Sequence, residues 1–135
     1  MDKKQLKEAG LKITTPRLKI LEVLENSSKR HMRAEEIHQE LEKNGVEAGL
    51  ATVYRALVQF EEAGLVIRHN FEEGYSVFEL DRGDHHDHLV CVKCHKVVEF
   101  HDEIIEDRQR DIAAQHGFQM TDHSLNIYGF CQKCQ

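Results

Sequence analysis

The sequence predicts an α+β fold in two parts, a helical front closed by a β-hairpin and a small α/β back half. Apolar residues recur at helical spacing through residues 15–62, and the period shortens to two after residue 65. A turn-prone Asp-Arg-Gly-Asp at 81–84 then precedes an abrupt rise in histidine and cysteine. That composition shift places the domain boundary, giving domains 1–82 and 83–135.

Taken in order, residues 3–9 form a short polar helix. In TTPRLKILEVLENS, Thr15 is the expected N-cap, Pro16 takes the first helical position, and Leu18, Leu21, Val23 and Leu24 make the apolar face. AEEIHQELEKNG places Ile37 and Leu41 four apart and stops at Asn44-Gly45. Arg33 stands where a side-chain cap is wanted, so that helix must find another acceptor, at stake about 1 kcal/mol. After the connector VEAGL, ATVYRALVQFEEAG repeats the helical pattern with Val53, Leu57 and Phe60 apolar and Gly64 at its end. LVIRHNF and YSVFEL read as strands joined through a Glu72-Glu73-Gly74 turn. Helices followed by a hairpin in this order are the winged form of a helix-turn-helix. Beyond the boundary, HLVCV and KVVEF are short strands about a Cys-x-x-Cys turn, and DEIIEDRQRDIAAQHG is an amphipathic helix from Asp102 to Gly117. FQMTDHSLNIYGF reads as a long strand, bent at 121–124 where the alternation changes phase.

Composition narrows the function classes. The 135 residues are 40% hydrophobic and 31% charged, which suits a folded chain rather than a disordered one. No apolar run approaches the roughly 20 residues of a membrane span, and MDKKQLKEAG has no secretory apolar core, so a cytoplasmic protein with no membrane partner is expected. The net charge of −6 argues against nucleic acid, but its distribution does not: residues 1–33 hold nine Lys/Arg against four acids. Residues 83–135 reverse the balance, with five Lys/Arg against nine acids, an excess that divalent cations would offset.

The densest chemistry is GDHHDHLVCVKC, where His85, His86, Asp87 and His88 run into Cys91 and Cys94. In a reducing compartment, Cys91-x-x-Cys94 with Cys131-x-x-Cys134 points to a four-thiolate structural Zn(II) rather than to disulfides or a redox dithiol. The His/Asp run then needs other metal. In an extended segment His85 and Asp87 face one way and His86 and His88 the other, which predicts two N/O sites suited to Fe, Mn, Co or Zn. Further donors are Glu106 and His123 for one site and His31, Glu79 and Glu99 for the other. On the fourth helix, Ala51, Thr52, Arg55 and Gln59 lie opposite the apolar face with Tyr54 near its edge. Thr and Tyr can meet thymine methyls and Arg can meet guanine or phosphate. Lys12, Arg17 and Lys19 add backbone or minor-groove contacts.

GLKITTPRLKILEVL, AEEIHQEL, GLATVYRAL, AGLVIRHNFEEGYSVFEL, HHDHLVCVKC and the closing CQKC together resemble the ferric uptake regulator (Fur) family over essentially the whole chain. The resemblance implies an N-terminal DNA-binding winged helix, a C-terminal dimerisation domain, and a metal-loaded homodimer, or a tetramer, repressing iron-acquisition genes at A/T-rich inverted repeats. It implies Cys91, Cys94, Cys131 and Cys134 as structural zinc ligands. His31, Glu79, His86 or His88 and Glu99 would form an interdomain sensing site for Fe(II), with Mn(II), Co(II) or Zn(II) able to substitute. His85, Asp87, Glu106 and His123 would form a second non-cysteine site, and Lys12, Tyr54 and Arg55 would contact DNA. Zinc-, manganese- and peroxide-sensing members share the scaffold and remain open at this point. A metal-dependent hydrolase, or a metal store without DNA affinity, is the alternative outside the family; no phosphate loop or nucleophile elbow accompanies the ligands, so no enzyme is expected.

Overall fold

The computed structural model describes residues 3–72, 74–83 and 85–135. The chain divides into two compact units, Met1–Gly83 and Asp84–Gln135.

Unit 1 runs α1 (Lys3–Glu8), α2 (Thr15–Asn26), α3 (Ala34–Lys43), α4 (Leu50–Glu62), β1 (Val66–Asn70) and β2 (Ser76–Leu80). Its core is one cluster drawn from every element: Leu6 of α1, Ile20, Leu21 and Leu24 of α2, Ile37 and Leu41 of α3, Val53, Leu57 and Phe60 of α4, and Val66, Phe78 and Leu80 of the hairpin. Emptying any of the larger positions to alanine would cost about 2–5 kcal/mol. The hairpin is antiparallel, with Ile67 opposite Glu79, Arg68 opposite Phe78 and His69 opposite Val77. Its Glu72-Glu73-Gly74 turn includes Glu73, and the 81–84 boundary turn includes Asp84; both lie outside the described residues. Met32 and Phe78 exchange two backbone hydrogen bonds of 3.0 and 2.7 Å, which pin the segment ahead of α3 to β2.

Two helix starts differ from expectation or complete it. The cap of α2 is Thr14 rather than Thr15: its hydroxyl accepts from the Arg17 N–H at 3.4 Å, and Pro16 sits one place further in, where the missing N–H is still costless. At α3 the Arg33 side chain has no acceptor to offer, and Glu36 supplies one by reaching back to the Arg33 N–H at 3.0 Å, half of a capping box. Burial pushes the Glu36 carboxyl up, but the Lys29 ammonium at 2.6 Å and the Arg33 N–H outweigh it and hold the group below the ordinary glutamate range.

Unit 2 contains β3 (Asp87–Cys91), β4 (Val97–Phe100), α5 (Glu103–Gln115), β5 (Asn126–Gly129) and a 3-10 turn at Gln132–Cys134. Asp102 caps α5, accepting from the Ile104 and Ile105 N–H groups at 2.9 and 3.2 Å. The sheet order is β4-β3-β5, β3 antiparallel to β4 and parallel to β5. A parallel neighbour needs a long crossover, and α5 provides it. The long strand expected over 118–130 is confined to Asn126–Gly129. Residues 118–125 instead run irregularly along α5, where His123 turns to Glu106 at 2.8 Å; only the His88 N–H, bonded to the Leu125 carbonyl at 3.1 Å, extends the ladder backwards. The buried apolar residues of this unit are few, Val90 and Cys91, while Asp87, His88 and Glu106 are buried as well. Leu89, Val98 and Ile127 are in register with one another across the sheet and exposed, making an apolar row.

Glu36→Gln should keep a weaker cap but lose the ion pair. A carboxylate with a depressed folded value adds stability above the ordinary glutamate range and loses it as pH falls through the folded value. Urea unfolding of the variant should therefore fall below the parent near neutral pH, by less than about 1 kcal/mol at this half-exposed site, and converge with it in acid. A constant gap across pH would speak against the assignment.

Candidate metal centres and nucleic-acid interface

Cys91 ends β3, Cys94 closes the turn after it, and Cys131 and Cys134 follow β5, so the parallel pairing of β3 with β5 brings the two Cys-x-x-Cys segments side by side. The four sulfurs lie within 4.8 Å of one another, with Cys94 Sγ and Cys131 Sγ 3.7 Å apart. The Cys131 and Cys94 N–H groups both donate to Cys91 Sγ at 3.4 Å and, in that order of importance, lower its thiol to about 5. Cys134 is pushed up to about 12, first by Cys131, because thiolates crowded together repel until a cation joins them. His95 adopts φ 64°, a left-handed turn that returns the chain to β4 through its N–H to the Cys91 carbonyl at 3.0 Å. All sulfur and tetrahedral in number, this donor set fits a structural zinc.

The second cluster, also within unit 2, joins His85, Asp87, Glu106 and His123 within 4.8 Å. His85 Nε2 lies 3.2 Å from Asp87 Oδ1 and 3.5 Å from Glu106 Oε1, and His123 Nε2 lies 2.8 Å from Glu106 Oε2. Asp87 and Glu106 are buried, and two buried carboxylates sharing one site repel unless a cation lies between them. Nitrogen and oxygen donors in this number suit a borderline or hard divalent ion.

Unit 1 carries a third group. Glu79, buried on β2, has His69 Nε2 2.8 Å from Oε1, His31 Nε2 3.3 Å from Oε2 and the Arg30 Nε donating to Oε2 at 3.1 Å. His31, His69 and Glu79 thus offer three ligand atoms on one spot. Of the residues expected for this site, His31 and Glu79 are together here, while His86, His88 and Glu99 share one side of the β3–β4 pair: His88 is opposite Glu99, and His86 Nε2 is 3.7 Å from Glu99 Oε2. His69 was not anticipated. The signal was present in the hairpin: pairing the strands back from the turn sets His69 and Glu79 diagonally on one face.

The α4 surface presents Ala51, Tyr54 and Arg55 to solvent with Thr52 half-buried, and Arg55 donates to the Thr52 hydroxyl at 3.3 Å. Lys12 is exposed. Arg17 Nη1 donates to the Lys12 carbonyl and Nη2 to Gln59 Oε1, both at 2.6 Å. The guanidinium therefore fastens the Lys12 loop to α4.

A winged-helix unit followed by a small sheet whose interior is built of metal-donor side chains defines a class, the metal-responsive winged-helix proteins. The chain matches the family model "Ferric uptake regulator family" over residues 8–128, and it belongs to that family. It is 62% identical over 134 residues to the ferric uptake regulation protein of Legionella pneumophila, covering 99% of this chain and 98% of that one. The crystal structure of the Vibrio cholerae ferric uptake regulator superposes with a TM-score of 0.89 at 57% identity, covering 95% of this chain and 98% of that one. The Francisella tularensis ferric uptake regulator with iron gives a TM-score of 0.88 at 41% identity, covering 93% and 95%.

Glu106→Gln removes one of the two buried carboxyl groups at the His85/Asp87/Glu106/His123 cluster. In the parent, divalent metal at about a hundredfold excess over Kd should stabilise by about 2.7 kcal/mol. The variant should lose most of that metal-dependent rise in Tm while its metal-free Tm is unchanged or higher, read by calorimetry with the cysteine metal retained. An equal rise in both proteins would show that the carboxylate is not a ligand.

Proposed function

We propose that this protein is a metal-dependent, DNA-binding transcriptional repressor of iron-uptake genes, acting as a homodimer in the cytoplasm. The observation that carries the reading is the donor group beside the wing: His69 and Glu79 of the hairpin stand together with His31 from the segment ahead of α3, so candidate metal ligands and DNA-reading elements share one small body. Three protein donors leave further coordination positions to be filled, and His88, His86 and Glu99 of the second unit are the candidates drawn from the family pattern. A metal that takes ligands from both units binds best in one relative orientation of them. Loading then selects that conformer and, in a dimer, the spacing of the two α4 helices.

The Francisella relative with iron and the donor chemistry support Fe(II) as the sensed metal; Mn(II), Co(II) or Zn(II) fit the same N/O sites, since affinity alone does not discriminate. Zn(II) is assigned to Cys91, Cys94, Cys131 and Cys134, and the His85/Asp87/Glu106/His123 site takes a second divalent ion. The α4 residues Ala51, Thr52, Tyr54 and Arg55 read an A/T-rich inverted repeat, Lys12 contacts the backbone or minor groove, and Arg17 orients Lys12. The exposed row of Leu89, Val98 and Ile127 supports a second copy as the sheet's partner.

Anaerobic titration of Fe(II), Mn(II) and Zn(II) against binding to an A/T-rich inverted repeat tests the reading. Metal should tighten binding by at least about tenfold, a coupling of about 1.4 kcal/mol, and Glu79→Ala or His31→Ala should remove the response while leaving weak metal-free binding intact. Lys12→Ala should weaken binding uniformly across sequences and lower the salt slope by about 1. Affinity that ignores added metal in the parent would defeat the sensor assignment.

A further inference from the structure

On β1 and β2 alternate residues face opposite sides, and the register Ile67 to Glu79, Arg68 to Phe78, His69 to Val77 divides the hairpin into two functional faces. His69 and Glu79 occupy one. Arg68 and Phe78 occupy the other, against α4. The Arg68 guanidinium lies over the Tyr54 ring, 5.5 Å from its centroid, and over the Phe78 ring at 5.4 Å. Tyr54 meets Phe78 edge-on at 6.3 Å, and Arg68 Nε is 3.6 Å from Glu61 Oε1 at the end of α4. The Arg68 side chain is only 20% exposed, so its charge is directed inward at the two rings rather than outward at a phosphate.

Tyr54 is 44% exposed, and the Arg68 guanidinium and the edge-on Phe78 ring hold its other side. We infer that Arg68 is a positioning residue for sequence discrimination: it fixes the Tyr54 ring at the edge of α4 and so determines how sharply the protein tells its operator from other DNA, without touching DNA itself. The inference rests on the DNA-reading role given to α4 above. An aromatic ring held in one orientation can meet a thymine methyl in one register and lose contact in others; a ring free to turn meets several sequences about equally. Phosphate contacts, made elsewhere on the unit, are indifferent to it.

The test is fluorescence anisotropy of Mn(II)-loaded full-length protein on an A/T-rich inverted repeat and on a scrambled duplex of the same composition. Arg68→Met should lower the affinity ratio between the two duplexes about 5- to 10-fold, as expected for loss of a partly desolvated cation–π contact, with scrambled-duplex affinity within about twofold of the parent. Arg68→Lys should restore part of the ratio. In a Tyr54→Ala background, Arg68→Met should change the ratio by less than about twofold, because its effect runs through the ring. Should Arg68→Met fail to fold, Glu61→Gln loosens the arginine while leaving it in place, and should lower the ratio in the same direction, again only when Tyr54 is present. Equal losses on both duplexes, or an undiminished loss without Tyr54, would overturn the inference while leaving DNA reading by α4 intact. A parent protein with no preference between the duplexes would overturn both.

Discussion

Burying a carboxylate or a thiolate costs several kcal/mol unless a cation or a set of N–H donors meets it, and the second unit is organised around that constraint. Its described interior is Asp87, His88 and Glu106 with only Val90 and Cys91 as apolar company. An apolar core of that size cannot offset the conformational entropy of ordering the unit. Coordination bonds and a partner surface are what remain, and both are provided for: two donor clusters inside and the row of Leu89, Val98 and Ile127 outside. The backbone contributes its share by aiming the Cys94 and Cys131 N–H groups at Cys91 Sγ, which favours the anionic form a metal requires.

Unit 1 solves a different problem with ordinary means. Its core draws on every helix and on the hairpin, so it has no need of metal to hold together. Under the proposed function, that independence would let a metal bound at His31, His69 and Glu79 be a signal rather than a staple. A strand puts consecutive residues on opposite faces: His69 and Glu79 offer donor atoms on one side while their sequence neighbours Arg68 and Phe78 pack on the other. The two backbone bonds between Met32 and Phe78 bring His31 to the same place, where its ring lies 5.7 Å from that of His69.

What was legible in the sequence was whatever depends on spacing along the chain. Helix periodicity located α2, α3, α4 and α5, and the Cys-x-x-Cys pairs identified their cluster, because both signals are local. The alternation of His85 with Asp87 placed them on one face, and the phase break near residue 122 marked the place where His123 leaves the strand pattern. Less visible was anything decided by pairing between distant segments. Residues 118–125 carry alternating apolar residues but lie outside the sheet, with His123 paired to Glu106 of α5. His69 was hidden because its place beside Glu79 depends on hairpin register, and the two acceptors of Arg17, Lys12 and Gln59, were hidden because they lie on different elements. At α2 the choice between Thr14 and Thr15 turned on one hydroxyl's reach, below the resolution of composition.

The parallel pairing of β3 with β5 also bears on how the protein reaches its folded state. His88 must find Asn126, and Cys94 must find Cys131, after α5 has been threaded between them, so closing this sheet waits on a large loop. Unit 1, with mostly neighbouring helices, has no such delay. During the interval β3 presents an unpaired edge bearing Leu89 and Val90 beside free thiols, the kind of surface that pairs with other chains. A cell short of the cysteine-bound metal would therefore lose this protein first to aggregation or turnover of newly made chains, while molecules already closed persist on the timescale of metal release.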